Sequence, residues 1–397
     1  MKLLKYSLIV LVLLALAGWF FLFRSVPLKV SPETTLLTEP LTEDGRLVDY
    51  ASWLAAQFPK DGNTAKNSAR GMLELFGPGL YDVRNFKPEH WKLLGLEPIP
   101  ENQEPRFTLP KSDDFSGKFA SVYHELEECF AVDPEGFRAW VNALSPALDA
   151  MAEVLQNSEF YAFPLLAKGP DSLFSAEILD ASQAREVAIN FQARAFLREK
   201  EGDLEGAEAD RIAIMKLGRQ MQNGAQVISH LLIGRAIEQM GSKPDLLEKM
   251  ETLEPVDQEK NLRRVLEMER IMSASGVQNL YRTTRDGSVN DFPINGATWI
   301  LLHLGMDWNI AAKRVNEALQ RVYFPEENAE PYQIPQRRLN GFSPKLLSLR
   351  ARSEIFGDVL ALNLCLNISQ LNDCFSDSKE VENGDANDEQ VEGVIVP

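Results

Sequence analysis

Apolar positions recur at helical spacing along most of the chain. Leu47, Tyr50, Ala51, Leu54 and Phe58 fall at i, i+3, i+4, i+7 and i+11, one face of an α-helix. Ala65, Ala69, Met72 and Phe76 repeat the pattern up to Gly77-Pro78-Gly79, which reads as a stop. Phe119, Tyr123, Leu126 and Phe130 form the next stripe. Asp133 then stands where a helix cap is needed, Pro134 where the first helical residue tolerates proline, and Phe137, Val141, Leu144, Leu148, Met151 and Leu155 line the helix that follows. These two stripes predict a helical hairpin. Ala184, Ala188, Phe191 and Ala195 mark a helix that breaks at Gly202-Asp203, Ala207, Ile214, Leu217 and Met221 mark its successor, and a third runs from Val227 to Met240. Val265, Met268 and Met272 indicate another, and a Gly/Asn/Asp-rich break at 286–296 precedes the register Trp308, Ala311, Val315, Ala318 and Val322. Ile355, Val359, Leu362 and Leu366 line a final helix. Strand-like alternation is nearly absent, so the expected fold class is all-α.

The N-terminus departs from this amphipathic rule. From Tyr6 to Phe23 the chain is apolar and uncharged, and at ~1.5 Å rise per residue it covers most of a ~30 Å hydrocarbon core. A single transmembrane helix within residues 1–24 is therefore expected. Ala15-Leu16-Ala17 offers a competing signal-peptidase site, but cutting there would expose Gly18-Trp19-Phe20-Phe21-Leu22-Phe23 as a greasy new terminus. Lys2, Lys5 and the α-amine before the span, against Arg24 and Lys29 after it, favour a cytoplasmic N-terminus and an extracytoplasmic body. Residues 25–44, with Pro27, Pro32 and Pro40, read as an extended stalk. The body divides into helical subdomains at 45–170 and 171–375, with Pro-rich loops at 95–115 and 325–344, and the acidic 376–397 reads as a disordered tail. Short apolar runs at 299–304 and 359–366 fall well under the ~20 residues of a span and are expected to be core helices.

The formal charge is −17, and setting aside Lys2, Lys5 and Arg24 takes the remainder to −20. Such a body repels nucleic-acid phosphates, which disfavours DNA and RNA as partners. Cys129, Cys365 and Cys374 allow at most one bridge and leave its pairing open, Cys129 with Cys374 included. Without a Cys-x-x-Cys pair, neither a zinc ribbon nor a thioredoxin-type site has footing.

Candidate chemistry is sparse. His124 and Glu128, at i and i+4 beside Glu125 and Glu127, have the spacing of two metal ligands on one helix face, yet a metal needs a third ligand and the sequence nominates none. The neighbouring carboxylates are more economically a solvated face opposite the Phe119, Tyr123, Leu126 and Phe130 stripe, and no metal or cofactor is expected. His230 and His303 lie among aliphatic residues and read as packing histidines, while His90 precedes Trp91 at a loop-to-helix junction. No nucleophile elbow, His-Glu-x-x-His helix or phosphate-binding loop occurs. Arg185-Glu186 and the run from Arg194 to Glu201 read as solvated helix faces. Paired carboxylates for glycosidic chemistry leave no linear signature, so an enzyme stays open as the alternative.

Two resemblances add to this. Ala195 to Ala207, with Gly202-Asp203 and a small Ala where the second helix packs close, resembles the turn of one tetratricopeptide repeat, implying such a hairpin near 185–221. Asp307-Trp308-Asn309-Ile310-Ala311 leading into Asn316-Glu317-Ala318, and Arg350 to Leu360, resemble membrane-anchored, helix-rich proteins of planctomycete-type bacteria. That resemblance implies a bacterial inner membrane with the body facing the periplasm, and it brings no catalytic residues. The combined expectation is an envelope protein that binds protein partners or acts as a scaffold. A membrane-tethered hydrolase acting on envelope polymer or peptide, using acidic residues with His124 and Glu128, is the alternative.

Overall fold

In the computed structural model, the residues described are 12, 13, 16, 24–58, 65–109, 126–166, 173, 180–243, 246, 253, 255–286, 306–324 and, further on, 349, 350, 353, 354, 356–358 and 360. They are all-α. No strand occurs among them, only the isolated bridges Val26 with Asp307, Leu41 with Val48 and Asn67 with Phe160. Two units emerge, Leu37–Asn279 and a second made of residues up to Leu36 together with those from Leu280 onward. The expected boundary at 170 falls inside the larger unit, because the helices on its two sides pack on each other.

That larger unit contains α1 (Tyr50–Gln57), α2 (Ser68–Leu80), α3 (Pro88–Leu94), α4 (Leu126–Val132), α5 (Pro134–Asn157), α6 (Ala181–Glu201), α7 (Leu204–Gly224), α8 (Ile228–Gly241) and most of α9 (Gln258–Asp286). Local chemistry explains the ends. The Asp133 carboxylate accepts from the Gly136 N–H at 2.9 Å, with Pro134 at the first helical position. Gly202, at φ +86°, turns the chain between α6 and α7, and Asp203 caps α7 by accepting from Gly206 N–H at 3.0 Å. The helical backbone of α2 breaks at Gly77, at φ +38°, where Gly77-Pro78-Gly79 predicts a stop, and a short further turn beyond the kink reaches Leu80.

The predicted stripe of α5 is buried throughout, from Phe137 to Leu155, and Phe130, Phe137 and Phe196 meet edge to face with centroids 5.8–5.9 Å apart, joining α4, α5 and α6. Helix α6 is covered on nearly every side, so Asn190 and Arg194 are buried with its apolar residues. Between α7 and α8 the backbones touch. A Cβ added at Gly218 would lie 2.4 Å from Glu238 N and 2.6 Å from the Gly234 carbonyl oxygen.

The smaller unit centres on α10 (Trp308–Tyr323), whose Trp308 ring meets Tyr281 at 5.4 Å and Phe356 at 5.6 Å. Arg314 Nε donates to Asp358 at 2.8 Å, and Gly357 lies where a Cβ would stand 2.9 Å from the Ala311 carbonyl oxygen. The segment expected as an extended stalk is, over residues 26–33, hydrogen-bonded to this helix and to Met306 just before it. Val26 N–H donates to Met306 O at 2.8 Å and Trp308 N–H to Val26 O at 3.2 Å, and Leu28 and Thr35 are buried. Prolines that suggested a spacer here shape a docked strap.

A recurring device substitutes for sheet pairing where the chain runs extended. Primary amides of side chains grip main-chain groups from both sides: Asn67 with Ala162 (Nδ2 to O 2.7 Å, N–H to Oδ1 3.0 Å) and Gln278 with Val48 (Nε2 to O 2.8 Å, N–H to Oε1 3.0 Å). Among the described residues no helix is long and apolar enough to cross a membrane. The expected span at 6–23 lies outside the described residues except for Val12, Leu13 and Leu16, which are helical and 48–59% exposed.

Candidate functional site

A buried group of titratable side chains lies inside the larger unit, where Tyr81, Tyr161, Asp180, His230 and Glu269 converge from five places in the chain. Asp180 immediately precedes α6, His230 lies on the first turn of α8, and Glu269 on α9. His230 Nε2 and Asp180 Oδ1 are 3.2 Å apart, with the two side chains 4% and 0% exposed. The Tyr161 hydroxyl donates to the Asp180 carbonyl oxygen at 3.4 Å, and the Tyr81 ring stacks on Phe163 at 5.8 Å. Glu269 Oε1 accepts the Ile228 N–H at 3.2 Å, satisfying one of the amides that the start of α8 leaves over.

Burial alone would pull the His230 imidazolium below its ordinary range. The charge of Asp180, the hydrogen bond to it, and Glu269 outweigh that and hold His230 above its usual value of 6.5. Burial pushes Glu269 up, against the opposing pull of Ile228 N–H and His230. Both tyrosines are raised by burial, Tyr161 further by the neighbouring Tyr81 and Asp180. The group therefore favours the proton-bound form at each of these four side chains. Its closure to solvent denies a substrate the contact that general acid–base catalysis requires, and its bonds tie the loop before α6 to α8 and α9.

A sign follows for stability. A histidine whose folded-state affinity for protons exceeds that of the unfolded chain stabilises fully below the unfolded value, and the contribution disappears as pH rises through the folded value. Urea midpoints of the wild type should therefore fall between pH 6 and pH 9 more steeply than those of His230→Gln. Parallel slopes would show that His230 does not titrate with folding.

The remaining sequence candidates are placed as follows. Glu128 is exposed on α4, whereas His124 lies outside the described residues, as do His303, Cys365 and Cys374. Cys129 is buried on α4. Among the described residues no three His, Cys, Asp or Glu side chains are grouped to hold a metal ion. His90 is a capping residue, its Nδ1 accepting the Lys87 N–H at 2.9 Å ahead of α3. His230 has the hydrogen bond expected of a packing histidine. Its link to Asp180, fifty residues away, had no local signal.

No family model, curated protein or solved structure matches the chain.

Arg194 overturns its expected role as a surface charge. Only 3% exposed, its side chain reaches Asp210 through Nη2 at 2.6 Å and through Nε at 3.0–3.1 Å, and its Nη1 donates to Ser145 O at 3.0 Å and to Asp149 at 2.7 Å. Arg198 Nη1 adds a further donor to Asp210 at 2.9 Å. This network joins α5, α6 and α7 through hydrogen bonds from all three guanidinium nitrogens of Arg194, which is the arrangement of a structural pin.

Proposed function

We propose that this chain is a single-pass, membrane-anchored envelope protein whose helical body, held on the extracytoplasmic side, acts as an interaction or scaffold element. The observation that carries the reading is the position of the strap. The apolar run ends at Phe23, and Val26 is already hydrogen-bonded to Met306 and Trp308, so the folded body begins within three residues of the end of the run. A span continued directly into fixed structure suits an anchor that holds the smaller unit at a bilayer surface.

The tetratricopeptide-like hairpin of α6 and α7 supports a protein partner by analogy. With α6 covered on nearly every side, that partner would meet the outer faces of the helices packed around the hairpin. The hydrolase alternative gains nothing from His230 and Asp180, whose burial gives a polymer or peptide no route.

Alkaline-carbonate washing of native membranes tests the anchor: the full chain should stay in the pellet, and a chain lacking residues 1–23 should be released. Affinity purification in mild detergent, with a charge-matched membrane protein as control, tests the scaffold reading. A reproducible partner set is expected. An empty purification from membranes that retain the protein would overturn the scaffold reading while leaving the anchor standing.

A further inference from the structure

Asn309 and Asn316 stand seven residues apart on α10, two turns along one face. Each addresses the main chain of the strap. Asn309 Nδ2 donates to Pro27 O at 2.9 Å while its Oδ1 accepts the Lys29 N–H at 2.8 Å, the two-sided grip that a neighbouring β-strand would supply. Asn316 Nδ2 donates to Glu33 O at 2.9 Å. Its own Oδ1 is buried and makes no hydrogen bond among the described residues, leaving this side chain, 6% exposed, with unused acceptor capacity. Asp307 fixes Asn309 by accepting from its Nδ2 at 3.1 Å, and Lys313 Nζ pairs with Glu33 at 2.9 Å.

The Asn309 pair reads extended backbone and Asn316 a carbonyl in the turn that follows it, both with little regard to side-chain identity, and these contacts differ from core packing in strength. Three neutral side-chain hydrogen bonds, the two main-chain bonds of Val26 and an ion pair exposed on both sides each contribute modestly, and the segment they hold can open locally without unfolding a unit. We propose that this face of α10 is a main-chain-reading peptide clasp whose occupant is the chain's own segment 26–33, and that its opening converts a body seated at the end of the anchor into one on a free tether. The tether length rests on the anchor reading; the clasp does not. Released, residues 25–36 would extend to roughly 40 Å at ~3.3–3.6 Å per residue.

The test uses the full chain and Asn309→Asp, which keeps the shape but places a carboxylate oxygen where an N–H donor faced the Pro27 carbonyl. By hydrogen exchange in detergent, the Lys29 amide should be protected in the wild type and lose protection about tenfold in the variant, while the amides of α5 and α6 are unchanged. Equal exchange at Lys29 in both proteins overturns the clasp. A wild-type dimer that the substitution converts to monomer overturns an occupant in cis, because the strap would then come from a second copy. In liposomes carrying headgroup acceptors, energy transfer from a donor dye at position 320 should fall in the variant. Unchanged transfer despite lost protection overturns the tether and leaves the clasp, whereas failure of the wild type to join the liposomes is a failure of the anchor alone.

Discussion

Arg194→Ala destabilises the larger unit by about 3 kcal/mol, at the lower end of the range for breaking a buried ion pair, as read from urea unfolding followed by circular dichroism. The loss arises less from the vanished attraction than from what stays behind. Asp210, its side chain 2% exposed, would retain Arg198 as its remaining cationic partner, and the Ser145 carbonyl would lose the Arg194 donor. Arg198 keeps the cost from the upper end of that range. Asp149→Ala is the internal control: its side chain is 67% exposed, so water replaces the Arg194 contact and the change should stay under ~1 kcal/mol. Replacing Arg194 by Met together with Asp210 by Leu should recover most of the loss, since a dry pair of similar volume carries no desolvation cost. Equal losses for Arg194→Ala and Asp149→Ala would mean that the network is solvated and that α6 is less enclosed than described.

Gly218→Ala has the second large effect, and of a different kind. One methyl group would meet the main chain of α8 at Glu238 and Gly234, atoms that cannot rotate aside, so α7 and α8 must separate. Overpacking of this sort costs about 3 kcal/mol, against which the better helix propensity of alanine returns only ~1. Separation would also strain the contacts that Glu238 accepts at the same crossing, from Arg219 Nε at 2.7 Å and Gln222 Nε2 at 2.6 Å. A net loss near 2 kcal/mol in thermal or urea unfolding is expected. A neutral or stabilising result would show that the two backbones stand further apart.

The periodic apolar stripes made much of the helical content legible. The stripe of α5 with its Asp133 cap, the Gly202-Asp203 turn and the register from Trp308 to Ala318 all follow from local rules, because spacing and caps act within a few residues. The strap was misread because proline and threonine in a polar setting describe an extended chain equally well whether solvent or a helix lies beside it. What distinguishes the two is the pair Asn309 and Asn316 at one-face spacing, a signal some 280 residues away. Arg194 was misread because arginine on a polar helix is normally at the surface. A clue was present: Arg194 lies eight residues before Gly202 and Asp210 eight after it, and an antiparallel hairpin turning at that glycine brings such positions opposite each other. The His230–Asp180 contact had no equivalent, since nothing near either residue specifies the other.

By entrusting its extended segments to side-chain amides, this helical protein ties three long-range closures to a functional group that water slowly hydrolyses, and Asn is among the thermolabile residues for that reason. Loss of ammonia turns each grip from donor and acceptor into acceptor alone, facing a carbonyl. Asn67 and Gln278 are sheltered by burial, but Asn309 is only partly covered. Chemical age should therefore register first at the strap, long before the folding free energy of either unit has changed.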